Sequence, residues 1–333
     1  MNSARTRRIG VLVGGEDPER LLSVEAGAAV LGALQQAGYE ATAIFVDRDL
    51  DLWLRQERIE VAFLALRGRS SIGPVQGLLE TLGIPYTGSS FAATALAADK
   101  LKSKELFRLH NLPTPVYYRH ARDLGSAIDQ HHGFGYPCVV KPRTGGAGGV
   151  VVETDDQLQS AVEVALRIDD ELVIERQMPG VEVQVIIVDG QVLGAAEVVS
   201  HGGHGGSIDF GRRSGPQDVF LPPRISADRL RGLLTQAVRA HHLLGCDGCT
   251  LVDLVLTRGG NEQLIGVDTV LDLSPGALLP RVAKAAGLRF DEVVVRLLEG
   301  ARLHAGRRLR ERREAQLPLM TADRRSVGSV ETH

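Results

Sequence analysis

The apolar positions of the first hundred residues follow two alternating periods. Arg8–Val13 is a short, nearly continuous apolar run closed by Gly14-Gly15, the pattern of a buried strand. Over Glu19–Ala37 the side chains Leu21, Leu22, Val24, Ala28, Leu31 and Leu34 recur at helical spacing until Gly38. Ala41–Val46 and Val61–Leu66 predict a second and a third strand, each followed by a helical pattern. Such β-α-β alternation predicts a parallel sheet with helices on its faces.

The texture changes near Asp99. A helix carrying Lys100, Lys102 and Lys104 runs to His110, where Leu112-Pro113-Thr114-Pro115 breaks it. Tyr136–Lys141 predicts a strand, Arg143–Gly149 a glycine-rich loop, and Val150–Glu153 another strand. A helix over Asp156–Arg167 and a strand over Leu172–Glu175 lead to a turn at Pro179-Gly180. Strand Val183–Val188 then enters a hairpin turn at Asp189-Gly190. A loop rich in glycine and histidine (201–216) precedes a helix over Asp228–Leu244. Strands Thr250–Leu256 and Gln263–Val267 join at Gly259-Gly260, and a helix after Pro280 closes the fold. From Arg307 onward the chain is basic, then polar, and reads as a frayed tail. No internal repeat stands out.

Composition narrows the function classes. A chain of 333 residues exceeds one ordinary core, so two or three domains are expected. A net charge of −3 offers no global field for nucleic acid or an acidic membrane. No apolar stretch approaches membrane-spanning length, and the opening MNSARTRRIGVLVGG lacks the apolar core of a secretory signal. Cys138, Cys246 and Cys249 make no disulfide framework, which leaves a cytoplasmic protein as the expectation. Cys246 and Cys249 near His241-His242 have the ingredients of a zinc site. They fall where a helix meets a strand, however, and read as structural.

Lys141 ends an apolar strand beside glycines, which suits a point charge and backbone N–H groups to a phosphate.

The order of landmarks resembles the D-alanine–D-alanine ligases of the ATP-grasp superfamily. GGEDPERLLSVEAG is similar to their opening signature, GIPYTGSSFAATALAADKLKSK to the link into the central domain, and YPCVVKP to the strand and lysine over the nucleotide. LVIERQMPGVEV resembles the hinge at adenine and ribose, LGCDGCTLVDLVL and LIGVDT the metal-bearing strands, and LLPRVAKAAGLRF the closing helix. The resemblance covers roughly residues 7 to 303. It implies a three-domain α/β ATP-grasp fold: an N-terminal βαβ domain (1–98), a central subdomain (99–184), a C-terminal subdomain (185–305) and a tail (306–333). ATP would lie between the last two domains.

The implied reaction is ATP-dependent carboxylate–amine ligation through an acyl phosphate, which supplies a peptidoglycan precursor. Catalysis of this kind is mostly positioning and cations. The matching positions place Lys100, Lys141, Gly145, Gly146 and Gly148 at the ATP phosphates. Glu175, Gln177 and Met178 fall at adenine, and Glu182 at ribose. Asp253 and Asp268 match the metal positions, for one Mg²⁺, and Glu19 the group that receives the first amino acid's ammonium. The implied partners are D-amino acids and a second copy of the chain, with no nucleic acid and no membrane.

The chain departs from the family pattern elsewhere. Ala147 replaces a loop serine, Arg212 the loop tyrosine, Leu251 the oxyanion arginine, Gly266 the bridging glutamate and Ala277 a serine. Arg67-Gly68-Arg69 replaces His-Gly-Arg, and the acid after it is lost in Ser70-Ser71-Ile72. Losing one oxyanion donor costs about a hundred- to a thousandfold in rate. The expectation is therefore weak or absent D-alanine ligation. Three alternatives stay open: an active ligase, a ligase whose Arg67, Arg69, Arg212 and Arg213 hold a more acidic substrate, or a nucleotide-binding regulatory module.

Overall fold

The computed structural model describes residues 7–15, 19–68, 73–122, 125–131, 133–145, 148–200 and 217–305. Strands β1 (Ile9–Gly14), β2 (Ala41–Val46) and β3 (Val61–Leu64) form a parallel sheet of order β2-β1-β3. Its helices are α1 (Arg20–Gln36), α2 (Leu50–Gln56) and α3 (Pro74–Leu82). Successive side chains of a strand point to opposite faces, and β1 divides its core accordingly. Val11 and Val13 pack with Val30 and Leu34 of α1, whereas Leu12 packs with Leu54 of α2 and Leu79 of α3. The βαβ expectation is met.

Helices α4 (Phe91–Ala98) and α5 (Lys100–Leu109) follow. The second sheet contains β4 (Tyr117–Ala121), β5 (Cys138–Pro142), β6 (Val150–Val152) and β7 (Glu171–Arg176), antiparallel in order β4-β7-β5-β6. Short helix α6 (Ala127–His131) and α7 (Asp155–Ala165) accompany it. Cys138, Val140, Leu172 and Ile174 bury one face against Leu158 and Val162 of α7. The opposite face carries Lys141 and Glu175 together with Val139 and Val173. Strand β4 was not legible in the sequence, where the prolines at 113 and 115 masked it.

The third sheet has order β10-β9-β8-β11-β12. Its strands are β8 (Gly180–Val188), β9 (Gln191–Ser200), β10 (Gln217–Phe220), β11 (Cys249–Thr257) and β12 (Glu262–Asp268), all paired antiparallel. Asp189 and Gly190, both at positive φ, form the predicted hairpin turn between β8 and β9. Helix α8 (Ala227–Leu243) covers Val183, Val185, Val252 and Leu254 through Leu233 and Ala237, and Phe107 of α5 joins that core. On the other face Ile186 and Val188 meet Leu279 and Val282 of α9 (Leu278–Ala285) and Leu297 of α10 (Phe290–Glu299). The same cluster takes in Val11 and Val13 of β1.

One expectation needs correcting. The helix expected after Pro280 begins at Leu278, so Pro280 lies inside its first turn. Proline is tolerated there because the first N–H groups of a helix have no intrahelical acceptor. A second helix, α10, follows before the chain closes. The loop 201–216 and the tail from residue 306 lie outside the described residues.

Candidate active site

The lysine-bearing side of the site starts at the N-terminus of α5. The Asp99 carboxylate accepts from the N–H groups of Leu101 and Lys102, both at 3.1 Å, and caps the helix. Lys100 and Lys104 are four residues apart and share one helix face. Lys102, between them, points outward to Glu105 at 2.9 Å. The Lys100 ammonium donates to the carbonyls of Pro142 (3.0 Å) and Gly145 (2.8 Å), and its N–H to that of Arg143 (2.9 Å). Arg143 binds both Asp99 oxygens, at 3.0 and 2.6 Å, and also Glu171. Helix α5 and the loop after β5 are thus stitched together.

In the second sheet Val139 stands opposite Glu175, and Lys141 opposite Val173. Lys141 and Glu175 therefore share the face turned away from α7. The Glu175 carboxylate is buried, with Lys141 on Oε1 and the Lys104 ammonium 2.8 Å from Oε2. Burial would raise the pKa of Glu175, but Lys141 and Lys104 outweigh it and hold the carboxyl at about 2. Lys104 itself is only 1% exposed. Its neighbours in sequence suggested a solvated helix face, and only the four-residue spacing from Lys100 hinted otherwise.

Three ammonium groups around one carboxylate leave an excess of positive charge, the environment a polyphosphate requires. Burial, and then repulsion from Lys141, lower the pKa of Lys100 to about 7 against the pull of Glu175, Asp169 and Asp99. A lysine depressed in the folded chain binds fewer protons there than when unfolded. Between about pH 7 and the ordinary lysine value of about 10.4, stability of the ligand-free chain should rise with pH. Phosphates would favour the ammonium form. ATP binding near pH 8 is expected to take up protons, seen as a binding enthalpy that varies with the buffer's ionisation enthalpy. No buffer dependence would contradict this.

The connection from β7 to β8 carries the remaining nucleotide candidates. The N–H of Arg176 donates to Val116 O (2.9 Å) and that of Gln177 to Pro137 O (3.2 Å). Both backbone donors are thus already engaged, which leaves Met178 as the donor candidate on this segment. Gly180 is dictated by packing, since a Cβ there would lie 2.1 Å from the Leu256 carbonyl oxygen. Glu182 follows on β8, exposed, opposite Val255 of β11. Gly145 and Gly148 are described, whereas Gly146 and Ala147 lie outside the described residues.

The acidic side of the site is read from strand register. Asp253 stands opposite Gln184 on β8 and opposite Gly266 on β12, while Leu251 stands opposite Ile186 and Asp268. Glu182, Gln184, Asp253, Gly266 and Asp268 consequently share one face of the third sheet. Gln184 donates to Asp253 Oδ1 at 2.7 Å, and Asp268 Oδ1 accepts from Val270 N at 2.9 Å. Two half-buried carboxylates on one face could hold a single Mg²⁺. Among the described residues no cluster of three or more His, Cys, Asp or Glu offers a richer site. Leu251 belongs to the apolar cluster at the other end of this face.

The candidate amino-acid side rests on Glu19 and the end of β3. Ser23 of α1 accepts from Gly14 N and donates to Ala65 O, both at 2.8 Å, fixing the start of α1 against the ends of β1 and β3. Glu19 Oε2 lies 3.7 Å from Nε of Arg67, whose side chain is 2% exposed. Arg67 Nη1 donates to Val270 O at 3.0 Å, and Nε has no hydrogen-bond partner among the described residues. Burial lowers the pKa of Arg67, opposed by Glu19 and Asp272. Arg69, Arg212 and Arg213 lie outside the described residues. Cys246 and Cys249 are buried free thiols, both pushed upward by burial, and the zinc reading gains nothing.

Two antiparallel sheets, one presenting Lys141 and Glu175 to the lysines of α5 and the other presenting Asp253 and Asp268, beside a parallel N-terminal sheet define an ATP-grasp protein. Residues 116–299 match the family model for the D-ala D-ala ligase C-terminus. A D-alanine–D-alanine ligase of Geobacter sulfurreducens is 42% identical over 306 residues, 90% of this chain and 95% of that protein. One of Pelobacter propionicus is 40% identical over 310 residues, 91% of this chain and 98% of its own. The crystal structure of the Bacillus anthracis D-alanine–D-alanine ligase complexed with ATP superposes with a TM-score of 0.78 at 28% identity, covering 93% of this chain and all of that one. The chain belongs to the D-alanine–D-alanine ligase family.

Among the described residues, no helix is long and apolar enough to cross a membrane.

Proposed function

We propose that this family member is a cytoplasmic nucleotide-binding protein that holds ATP and one Mg²⁺ and ligates D-alanine weakly or not at all. Lys100, Lys141 and the loop at Gly145–Gly148 would take the phosphates, Glu175 and the segment through Met178 the adenine, and Glu182 the ribose. Asp253 and Asp268 would hold the metal, which supplies charge neutralisation at the phosphates.

The observation that carries the second half is the pairing of β11 with β12. Gly266 faces Asp253, and Leu251 faces Asp268. The positions that would carry a bridging carboxylate and an oxyanion cation, by family resemblance, hold a hydrogen atom and an aliphatic side chain. Neither stabilises a transition state with spread negative charge. Arg67 adds to this, because a guanidinium already stands beside Glu19, where a substrate ammonium would go. It also weakens the acidic-substrate alternative: Arg67 is flanked by Glu19 and Asp272 and has little charge to offer a further anion.

The second reading, an active D-alanine–D-alanine ligase, is favoured by identities of 40% and more along nearly the whole chain. Calorimetric titration separates the parts of the proposal. Saturable ATP binding with Mg²⁺ is expected, and D-alanine added to that complex should give no heat of binding. No ATP binding at millimolar concentration would overturn the nucleotide reading.

A further inference from the structure

Lys104 is not accounted for by any of these roles. Its side chain is 1% exposed and its ammonium is turned to Glu175, whereas the Lys141 side chain is 12% exposed. Among the described residues it meets Glu175 Oε2 at 2.8 Å, Thr114 Oγ1 at 2.8 Å and the face of the Tyr117 ring at 5.7 Å, and Lys141, across the shared carboxylate, repels it. Tyr117 stands opposite Glu175 in the pairing of β4 with β7. The two oxygens of Glu175 thus hold two different cations. One, Lys104, is enclosed by a hydroxyl, an aromatic face and the carboxylate, all of which favour it where it is. The other, Lys141, borders the phosphate-binding loop and has a competing anion to go to when a nucleotide arrives.

We propose that Lys104 is a positioning residue that sets base selectivity, the permanent counter-ion that keeps Glu175 an ionised acceptor while Lys141 turns to the phosphates. This rests on the proposed role of Glu175 at the base. An ionised carboxylate only accepts hydrogen bonds. With Oε2 kept by Lys104, Oε1 can accept from the exocyclic amino group at position 6 of adenine. It rejects a carbonyl there, because two acceptors facing each other in a buried site leave both unpaired. Without Lys104, departure of Lys141 would strand a buried carboxylate with only Lys100 nearby. Such a group takes up a proton instead. A protonated Glu175 can donate, so the 6-carbonyl of hypoxanthine becomes acceptable and selectivity falls.

The test uses the full chain and binding alone, so weak ligation does not obscure it. ATP and inosine triphosphate, which differ at position 6 of the base, are titrated into the wild type, Lys104→Met, Lys104→Arg, Thr114→Val and Glu175→Gln. The wild type should prefer ATP by on the order of a hundredfold. Lys104→Met should lose at least about tenfold of that preference and acquire a pH dependence of ATP binding between about pH 5 and 7. The charged and titratable groups facing Glu175 are Lys100 and Lys104 of α5, Lys141 of β5 and Tyr117 of β4; Lys100, held at about 7, borders that window in the wild type as well, so the new dependence is read as the difference from the wild type below about pH 6. Lys104→Arg should keep most of the preference, and Thr114→Val should lose part of it.

Equal weakening of ATP and inosine triphosphate in Lys104→Met would make Lys104 merely structural and overturn the proposal. Should that variant fail to fold, an unchanged preference in Thr114→Val overturns it instead. A preference that survives Glu175→Gln would sink the underlying base reading, which separates its failure from that of the Lys104 role.

Discussion

Glu175→Ala is expected to cost about 3–5 kcal/mol of folding stability, the usual consequence of removing one partner from a buried ion pair. The carboxylate is the shared counter-charge of Lys104 and Lys141. Without it Lys104, 1% exposed, remains among cations with only Thr114 and the Tyr117 ring to receive it. Urea unfolding monitored by far-UV circular dichroism measures the loss, and a change below about 1 kcal/mol would contradict the account. The pH dependence has a defined sign. In the parent chain the carboxyl is held at about 2, so its stabilisation is complete above the unfolded value near 4.3 and fades as pH falls toward 2. In the variant that acid-side loss should disappear. The rise in stability from neutral to alkaline pH, already expected of the parent through Lys100, should steepen as the stranded lysines give up their protons.

Restoring the two missing charges is the second large effect. Gly266→Glu combined with Leu251→Arg is expected to raise D-alanine-dependent ADP release by on the order of a hundredfold or more. A Cβ built at Gly266 meets nothing within 4 Å, so a carboxylate can be placed directly across from Asp253 without displacing a neighbour. Leu251 is partly buried against the apolar cluster that contains Ile186. An arginine there has to snorkel along this surface toward Asp268, which faces it on β12. The pair is expected to act together, so each single variant should recover much less than the double. No recovery in a folded double variant would show that Arg67 beside Glu19 is enough to keep the amino acid out.

Much of the architecture was legible because period and punctuation agree. The run from Ile9 to Gly14 alternates between two buried clusters, and the three strands of the first sheet and α1 begin and end within two residues of the pattern. Gly180 was read as a turn, and its physical reason is the Leu256 carbonyl that a side chain would strike. Lys104 was obscured because a lysine in a Lys-x-Lys-x-Lys helix reads as solvated. Its burial depends on β7, some seventy residues downstream, which no local pattern reveals. Strand β4 was hidden by the prolines that precede it, since their missing N–H groups argue locally against a sheet. The meeting of Arg67 with Glu19 and with Val270 is likewise a contact between distant segments. Substitution of the family histidine made Arg67 visible as a departure, but only the fold places its guanidinium beside Glu19.

The central claim is that the nucleotide half of the site is retained while the half that performs ligation is not. Steady-state ADP release by the purified chain with saturating ATP, Mg²⁺ and D-alanine tests it most directly. Working enzymes commonly turn over about ten times per second, and one lost oxyanion donor removes about two to three orders of magnitude. The predicted rate is below about 0.1 per second whether or not D-alanine is present. Turnover near one per second or faster that requires D-alanine would contradict the account.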